Sequence, residues 1–371
     1  MLAEAARNVR FIDFHAQFEE ERTALLPMIE EILASGEFIG GSKVDELESA
    51  LARYVGVRRI VTLASGTDAL LLGLRVLGIG SGDEVITPSN SFLSSTAAIV
   101  HIGATPVFAD VLRDQTLDVD AVAAAITPRT RAIMPVHLTG RVADMPRFVE
   151  LAERHNLAII EDAAQAFGSK HSERYAGTFG AIGCFSTHPL KNLNAAGDGG
   201  FIATNDDAMA DRLVRLRNNG LSDRDTALEF GFVSRLDNLQ AGILLHRLSR
   251  VDGVIGRRRA NAALYDRLLE PSAVFVPPTP AEQFHSYHLY VVQAERREEL
   301  REHLAQRGIS TKVHYPIPIH MQPAAAHLGY GRGSLPETER QAERILSIPI
   351  NQFLSPDDVT YVAEAVNEFY R

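Results

Sequence analysis

The sequence predicts an α/β protein: a large unit with a mostly parallel sheet flanked by helices, then a smaller α+β unit. Three observations carry that prediction. Short apolar strands alternate with amphipathic helices from Arg59 to Asp162, the pattern of a parallel sheet covered on both faces. The 371 residues exceed one small domain and suit a large unit over residues 1–250 with a smaller one over 251–371. In the last third, the Pro-rich stretch Pro277-Pro278-Thr279-Pro280 links a helix to strands and helices of a different order.

Residues 17–34 read as a helix, because Leu25, Met28, Ile29, Ile32 and Leu33 recur at helical spacing. Gly36, Gly40 and Gly41 break it, and Val44, Leu47, Leu51 and Tyr54 begin a second helix. Arg59–Leu63 is a short strand running into Ser65-Gly66-Thr67-Asp68, a turn of small residues that opens another helix. Such a turn points free backbone N–H groups at an anion, and Ser65 and Thr67 add hydroxyl donors. An ordinary helix N-cap uses the same residues. Gly78-Ile79-Gly80-Ser81-Gly82-Asp83 has the look of a dinucleotide fingerprint, but it follows a helix and precedes the strand 84–87, so it is a turn. Strands follow at 106–110, 132–136 and 158–162, with helices after Pro88 and over 144–155. Two more strands flank the turn that holds Lys191. A helix over 208–217, an irregular segment over 221–234 and one long helix over 236–251 complete the large unit. The smaller unit reads as helix 258–269, strand 287–293, helix 297–307, strand 310–314, a His- and Pro-rich loop and a closing helix 356–370.

Composition narrows the class. Hydrophobic residues make up 46% and charged residues 23%, enough for a real core. Lys plus Arg is 37 against 47 for Asp plus Glu, and the net charge of −10 argues against a nucleic-acid partner. The one cysteine, Cys184, can form no internal disulfide, which fits a reducing compartment. Met1 to Arg10 is polar and charged without an apolar signal core, and no apolar run reaches membrane-spanning length. The expectation is a cytoplasmic protein with no membrane partner.

Lys191 lies in a mostly apolar, glycine-flanked turn, Cys184 to Gly200. An apolar site disfavours the ammonium, lowers the pKa and frees the amine to attack a carbonyl. A lysine so placed can carry a Schiff base to pyridoxal 5′-phosphate. That cofactor needs a lysine, a carboxylate for its pyridine nitrogen, a phosphate cradle and a flat contact for its ring. Asp162, at a strand's carboxyl end, is the carboxylate; Gly66, Thr67 and Ser186 are the cradle; Phe92 is the ring contact, with Gln165 on the phenolic side. Each has a plainer role open to it: a snorkelling lysine, a capping Asp, a core Phe, a strand Ser. His314, His320 and His327 stand six and seven apart, which matches no compact helical ligand pair, so no metal is expected.

The ordered set Ser65-Gly66-Thr67-Asp68-Ala69-Leu70, Gly82-Asp83-Glu84-Val85-Ile86, Pro135-Val136-His137, Glu161-Asp162-Ala163-Ala164-Gln165, Phe185-Ser186, Pro189-Leu190-Lys191-Asn192-Leu193 and Gly197-Asp198-Gly199-Gly200 resembles the DegT/StrS family of sugar aminotransferases. So do Ser234-Arg235-Leu236-Asp237-Asn238-Leu239-Gln240-Ala241 and His314-Tyr315-Pro316-Ile317-Pro318-Ile319-His320. The resemblance implies fold type I, a homodimer with active sites at the subunit interface, and ping-pong amine transfer to a nucleotide-linked keto-sugar, commonly from glutamate. By resemblance, the cofactor lysine falls on Lys191, the pyridine Asp on Asp162, the Gln on Gln165, the phosphate ligands on Gly66, Thr67 and Ser186, and the stacking ring on Phe92. Tyr315 and His320 fall in the loop that lines the sugar side. Relatives acting as dehydratases carry histidine where this chain has Lys191, so the resemblance favours transamination over dehydration or a regulatory role on the same fold.

One position departs from the family pattern. Where relatives commonly place Asn before the Ser-Arg pair, to reach the phosphate bound by the partner subunit, this chain has Val233. Arg235 and Asn238 are nearby candidates to replace a contact worth roughly 1.5–3 kcal/mol.

Overall fold

The computed structural model describes residues 7–371; residues 1–6, part of the polar start from Met1 to Arg10, lie outside them. Among the described residues the central sheet has seven strands, in the order Arg59–Leu63, Gly200–Thr204, Ile182–Ser186, Ala158–Asp162, Thr130–Ile133, Glu84–Pro88, Thr105–Ala109. Gly200–Thr204 runs against both neighbours, and the other six share one direction. The protein is therefore an α/β fold with a mostly parallel sheet.

Side chains alternate along each strand, so every strand feeds two cores. Ile60, Ile86, Ile133, Ile159, Phe185 and Phe201 meet Leu47, Leu51, Phe148 and Leu244 on one face. Val61, Val85, Ala132, Ile160, Ile182, Cys184 and Ile202 meet Leu70, Ala98, Ile99 and Leu213 on the other. The helices Gly66–Val76 and Leu93–His101 cover that second face, and both begin at the carboxyl ends of strands. A separate antiparallel sheet, Val274–Phe275, Tyr290–Ala294 and Ile345–Ile348, packs with Tyr265, Leu300, Leu304, Val359 and Val362 into a third core.

The turn expected over 78–83 is present: the Gly80 N–H donates to Asp83 Oδ2 at 3.0 Å, and no helix opens there. Two expectations differ from the structure. The helix expected over 236–251 ends at Leu248 and the one expected over 258–269 begins at Val251, so only Ser249-Arg250 separates Asn238–Leu248 from Val251–Leu268. No glycine or proline marks the break. It lets Leu244 and Ile255 stay on the first core while Ala262 and Tyr265 reach the third. The segment 310–314 is not a strand. Lys312 and Ser347 exchange both backbone hydrogen bonds, at 3.1 and 2.8 Å, and the chain then turns away to bring His314 and Tyr315 into a cavity. The strand Ile345–Ile348 and the helices Val119–Ala125 and Pro336–Arg344 lie outside the expected elements.

Candidate active site

Beyond the carboxyl ends of the parallel strands, where such folds place their ligands, lies a cavity of about 630 Å³. Gly66, Thr67, Phe92, Asp162, Gln165, Ser186, Lys191 and Tyr315 all line it. Eight positions spread over 250 residues of chain thus converge on one space.

The turn expected to hold an anion is built by close packing. Ser65 caps the helix Gly66–Val76, its hydroxyl accepting from the Asp68 N–H at 3.0 Å. The N-cap role is therefore filled by Ser65. A Cβ on Gly66 would stand 2.6 Å from Ser186 Cβ, and one on Gly200 would stand 2.5 Å from the Ser65 backbone. Glycine at both positions is what lets this turn lie against the strand ends. The Thr67 and Ser94 hydroxyls pair at 2.8 Å, and Ser186 Oγ accepts from the His188 N–H at 3.3 Å. From the other side, Ser234 Oγ accepts from the Ala64 N–H at 3.1 Å and donates to Asp68 Oδ2 at 2.7 Å.

Asp162 is 5% exposed, at the end of its strand on the same face as Ser186. Ser95 Oγ donates to its Oδ2 at 2.7 Å, and the Ala164 N–H donates to its Oδ1 at 3.1 Å. Burial pushes the carboxyl above its usual range; these two hydrogen bonds and the charge of Lys191 oppose the rise without cancelling it. A buried carboxylate with that balance is suited to a cationic N–H partner. Ser95, which carried no expectation from the sequence, is completely buried and also pairs with Ser91 Oγ at 2.7 Å.

Lys191 is half-buried in the cavity wall, in a turn closed by its own N–H donating to the His188 carbonyl at 2.8 Å. Asn192 Nδ2 donates to the Ser286 carbonyl at 3.0 Å, and Asn194 Nδ2 donates to the Pro189 carbonyl at 2.8 Å. The loop is tied on both sides of the lysine. Burial lowers the ammonium to about 8, with Asp162 holding it up in part. The ammonium therefore gives up its proton well below the usual lysine range, the direction its apolar setting predicts.

Gln165 Oε1 accepts from the Thr139 N–H at 2.8 Å, and its Nε2 donates to Tyr315 Oη at 3.2 Å, with a second amide proton left over. The Phe92 ring is 54% exposed and stands 5.7 Å, centroid to centroid, from the Tyr315 ring. His288 and His314 join the wall; burial, then the Lys191 charge, lowers both, His314 to about 4. Lys312 and Arg258 line it as well.

Two expected site residues are placed elsewhere. Asn238 is 2% exposed and outside the cavity: its Oδ1 accepts from the Lys43 N–H at 3.2 Å and its Nδ2 donates to the Glu37 carbonyl at 2.9 Å. It holds the turn between the first two helices. His320, also 2% exposed, has its ring between Ser89 Oγ at 2.7 Å and Glu339 Oε1 at 3.2 Å, and it does not line the cavity. Val233 is 65% exposed on the outer surface, and Arg235 donates to Asn218 Oδ1 at 3.2 Å. His327 is exposed, far in role from His314 on the cavity wall. Among the described residues no three His, Cys, Asp or Glu side chains are grouped to hold a metal, and no helix is long and apolar enough to cross a membrane.

The donor set fits pyridoxal phosphate: an amine, a buried carboxylate short of a cation, a glycine turn a Cβ would fill, and an open aromatic face. Comparison with known proteins agrees. The DegT/DnrJ/EryC1/StrS aminotransferase family profile matches residues 19–367. A dTDP-3-amino-3,4,6-trideoxy-alpha-D-glucose transaminase of Streptomyces venezuelae is 43% identical over 97% of this chain and 96% of its own. A pleiotropic regulatory protein of Geobacillus stearothermophilus is 40% identical over 98% of this chain and 99% of its own. The crystal structure of S. venezuelae DesV in complex with a ketimine intermediate superposes with a TM-score of 0.96 at 43% identity, covering 98% of this chain and 99% of that one. With the match spanning almost every residue that builds the cavity, the chain belongs to the DegT/DnrJ/EryC1/StrS aminotransferase family.

Proposed function

We propose that the protein is a pyridoxal-phosphate-dependent aminotransferase that moves an amino group from an amino acid, glutamate in the first instance, to a nucleotide-linked keto-sugar. The observation that carries this reading is Lys191, lowered to about 8 by burial, sharing one cavity with the buried Asp162. Gly66, Thr67 and Ser186 would take the phosphate, and Phe92 the ring. Bound there, the cofactor supplies an electron sink for the negative charge that develops on carbon when its proton leaves. Asp162 would hold the pyridine nitrogen protonated, and Gln165 would use its spare amide proton on the phenolic oxygen. Lys191, once its Nζ is free, takes the proton from the donor's carbon and later returns one to the sugar's. Tyr315 closes the cavity beside Phe92 and limits water.

A homodimer is part of the proposal. Phe14, Phe18, Leu26 and Leu33 are exposed along one helix, and Phe38, Ile39, Leu228, Phe230 and Val233 are exposed in loops. Apolar surface of that extent supports a protein partner, and a second copy would also complete the cavity's open side.

The test is amine transfer from glutamate by protein loaded with pyridoxal phosphate. Substrates would be a panel of nucleotide-linked keto-sugars and one keto-sugar acid lacking a nucleotide, read by product mass. Transfer to a nucleotide-linked sugar is expected. Transfer only to the free sugar acid overturns the substrate class, and failure of glutamate to convert the bound cofactor to its amine form overturns transamination.

A further inference from the structure

A second cavity, of about 330 Å³, lies between the 114–115 and 139–141 turns of the large sheet and residues 266–291. It is small-molecule sized and does not contain Lys191 or Asp162. Arg141, 4% exposed, forms part of its wall. The Arg141 guanidinium donates from Nη1 to the Pro278 carbonyl at 2.7 Å and from Nη2 to the Pro277 carbonyl at 3.0 Å. Those are two neutral acceptors for a fork of five N–H donors. Among the described residues it has no carboxylate in contact; Asp114 and Asp266 act on it only through space.

A guanidinium buried this far without an anion is costly, and a carboxylate ligand would relieve that cost through paired hydrogen bonds. The two acids sit further out: Asp114 is half-buried and Asp266 exposed. Asp266 Oδ1 accepts from Tyr290 Oη at 2.7 Å, which leaves Oδ2 for another donor. Cation within and carboxylates toward the mouth form the complement of a zwitterion.

We propose that this cavity binds a free α-amino acid, its carboxylate on Arg141 and its ammonium against Asp266 and Asp114. The proposal does not rest on the catalytic reading of the other cavity. It does connect to it. Thr139 lines the second cavity while its N–H holds Gln165 Oε1, and Leu289, whose N–H donates to the Thr139 carbonyl at 3.1 Å, lines both. An occupant would touch the turn that orients Gln165, which makes the site a place for an effector.

The experiment is calorimetric titration of the full-length protein with the common L-amino acids and, for each that binds, its 2-oxo acid. Besides any binding of the amino donor in the Lys191 cavity, binding at one further site per chain is expected, retained in Lys191→Ala and weakened about 10-fold or more in Arg141→Gln and in Asp266→Asn. The 2-oxo acid, lacking the ammonium, is expected to bind about 10-fold more weakly. Should Arg141→Gln fail to fold, the paired variant Asp114→Asn with Asp266→Asn decides. The proposal is overturned if no amino acid binds, if binding disappears in Lys191→Ala, if the acid variants bind as wild type does, or if the 2-oxo acid binds equally well.

Discussion

Glu161 and Asp162 are adjacent on one strand, and the pleat sends them to opposite faces of the sheet and into opposite situations. Glu161, fully buried, accepts from the N–H groups of Gly177 at 2.7 Å, Phe179 at 2.6 Å and Gly180 at 2.6 Å. It also receives His137 Nε2 at 2.9 Å. Because His137 Nδ1 accepts from the Ala143 N–H at 3.2 Å, the ring proton sits on Nε2 and donates. Every strong site on Glu161 is used by the protein itself. Among the described residues Asp162 has only Ser95 and Ala164, and it opens on the cavity. One carboxylate fastens the fold, and the other waits for a ligand. The proposed function places its chemistry on the carboxylate the protein leaves incompletely satisfied.

That contrast can be broken or sharpened by substitution. The largest effect is expected at the lysine on which the proposed amine transfer depends. Lys191→Ala should lower amine transfer by on the order of 10⁴-fold, with unfolding by urea unchanged. Retained turnover would remove the lysine from the chemistry.

Asp162→Asn should lower turnover about 10²–10³-fold while leaving the cofactor-free protein as stable as wild type or more so. The sign follows from the shift. A carboxyl raised on folding contributes stability that is present below its unfolded pKa and lost as pH rises through the folded one, so at neutral pH the charge costs stability and Asn removes that cost. A marked fall in stability would put Asp162 in the same class as Glu161.

Glu161→Gln should do the reverse, destabilising the protein by about 3 kcal/mol in urea unfolding, because donors packed around it lose a charged acceptor. Residual folded enzyme should turn over at a near-normal rate. Equal losses of kcat and stability in both carboxamide variants would erase the distinction between the faces.

Ser95→Ala removes one of the two hydrogen bonds that oppose the rise in Asp162 and should weaken cofactor affinity about 10-fold. A threonine at 95 should restore it, which separates positioning from packing. The smallest effect is in pH. The rate at which cofactor-free protein takes up pyridoxal phosphate should climb with pH, be half-maximal near 8, where Lys191 loses its proton, and level off above that, well short of the usual lysine value of about 10.4. In Asp162→Asn the plateau should begin at lower pH, since the Asp162 charge holds the ammonium up.

The sequence determined the sheet, the cradle turn and the lysine's setting, because each is written in contiguous residues. Strand, small-residue turn and helix at Arg59–Val76 follow from local spacing and from glycine's lack of a Cβ. Lys191 is legible because its apolar neighbours are its neighbours in the chain. What the tertiary structure decided lies across long separations. Ser95 meets Asp162 over 67 positions, and no local pattern marks a serine as a donor to a distant carboxylate. Asn238 has a helix-start sequence that reads as a free polar side chain, yet the fold lays residues 37–43 over it and uses both ends of its amide. His320 is drawn between Ser89 and Glu339 in the same way. The opposite fates of Glu161 and Asp162 have the same cause. Alternation puts them on different faces, but only packing supplies three backbone N–H groups to one and leaves the other facing open space.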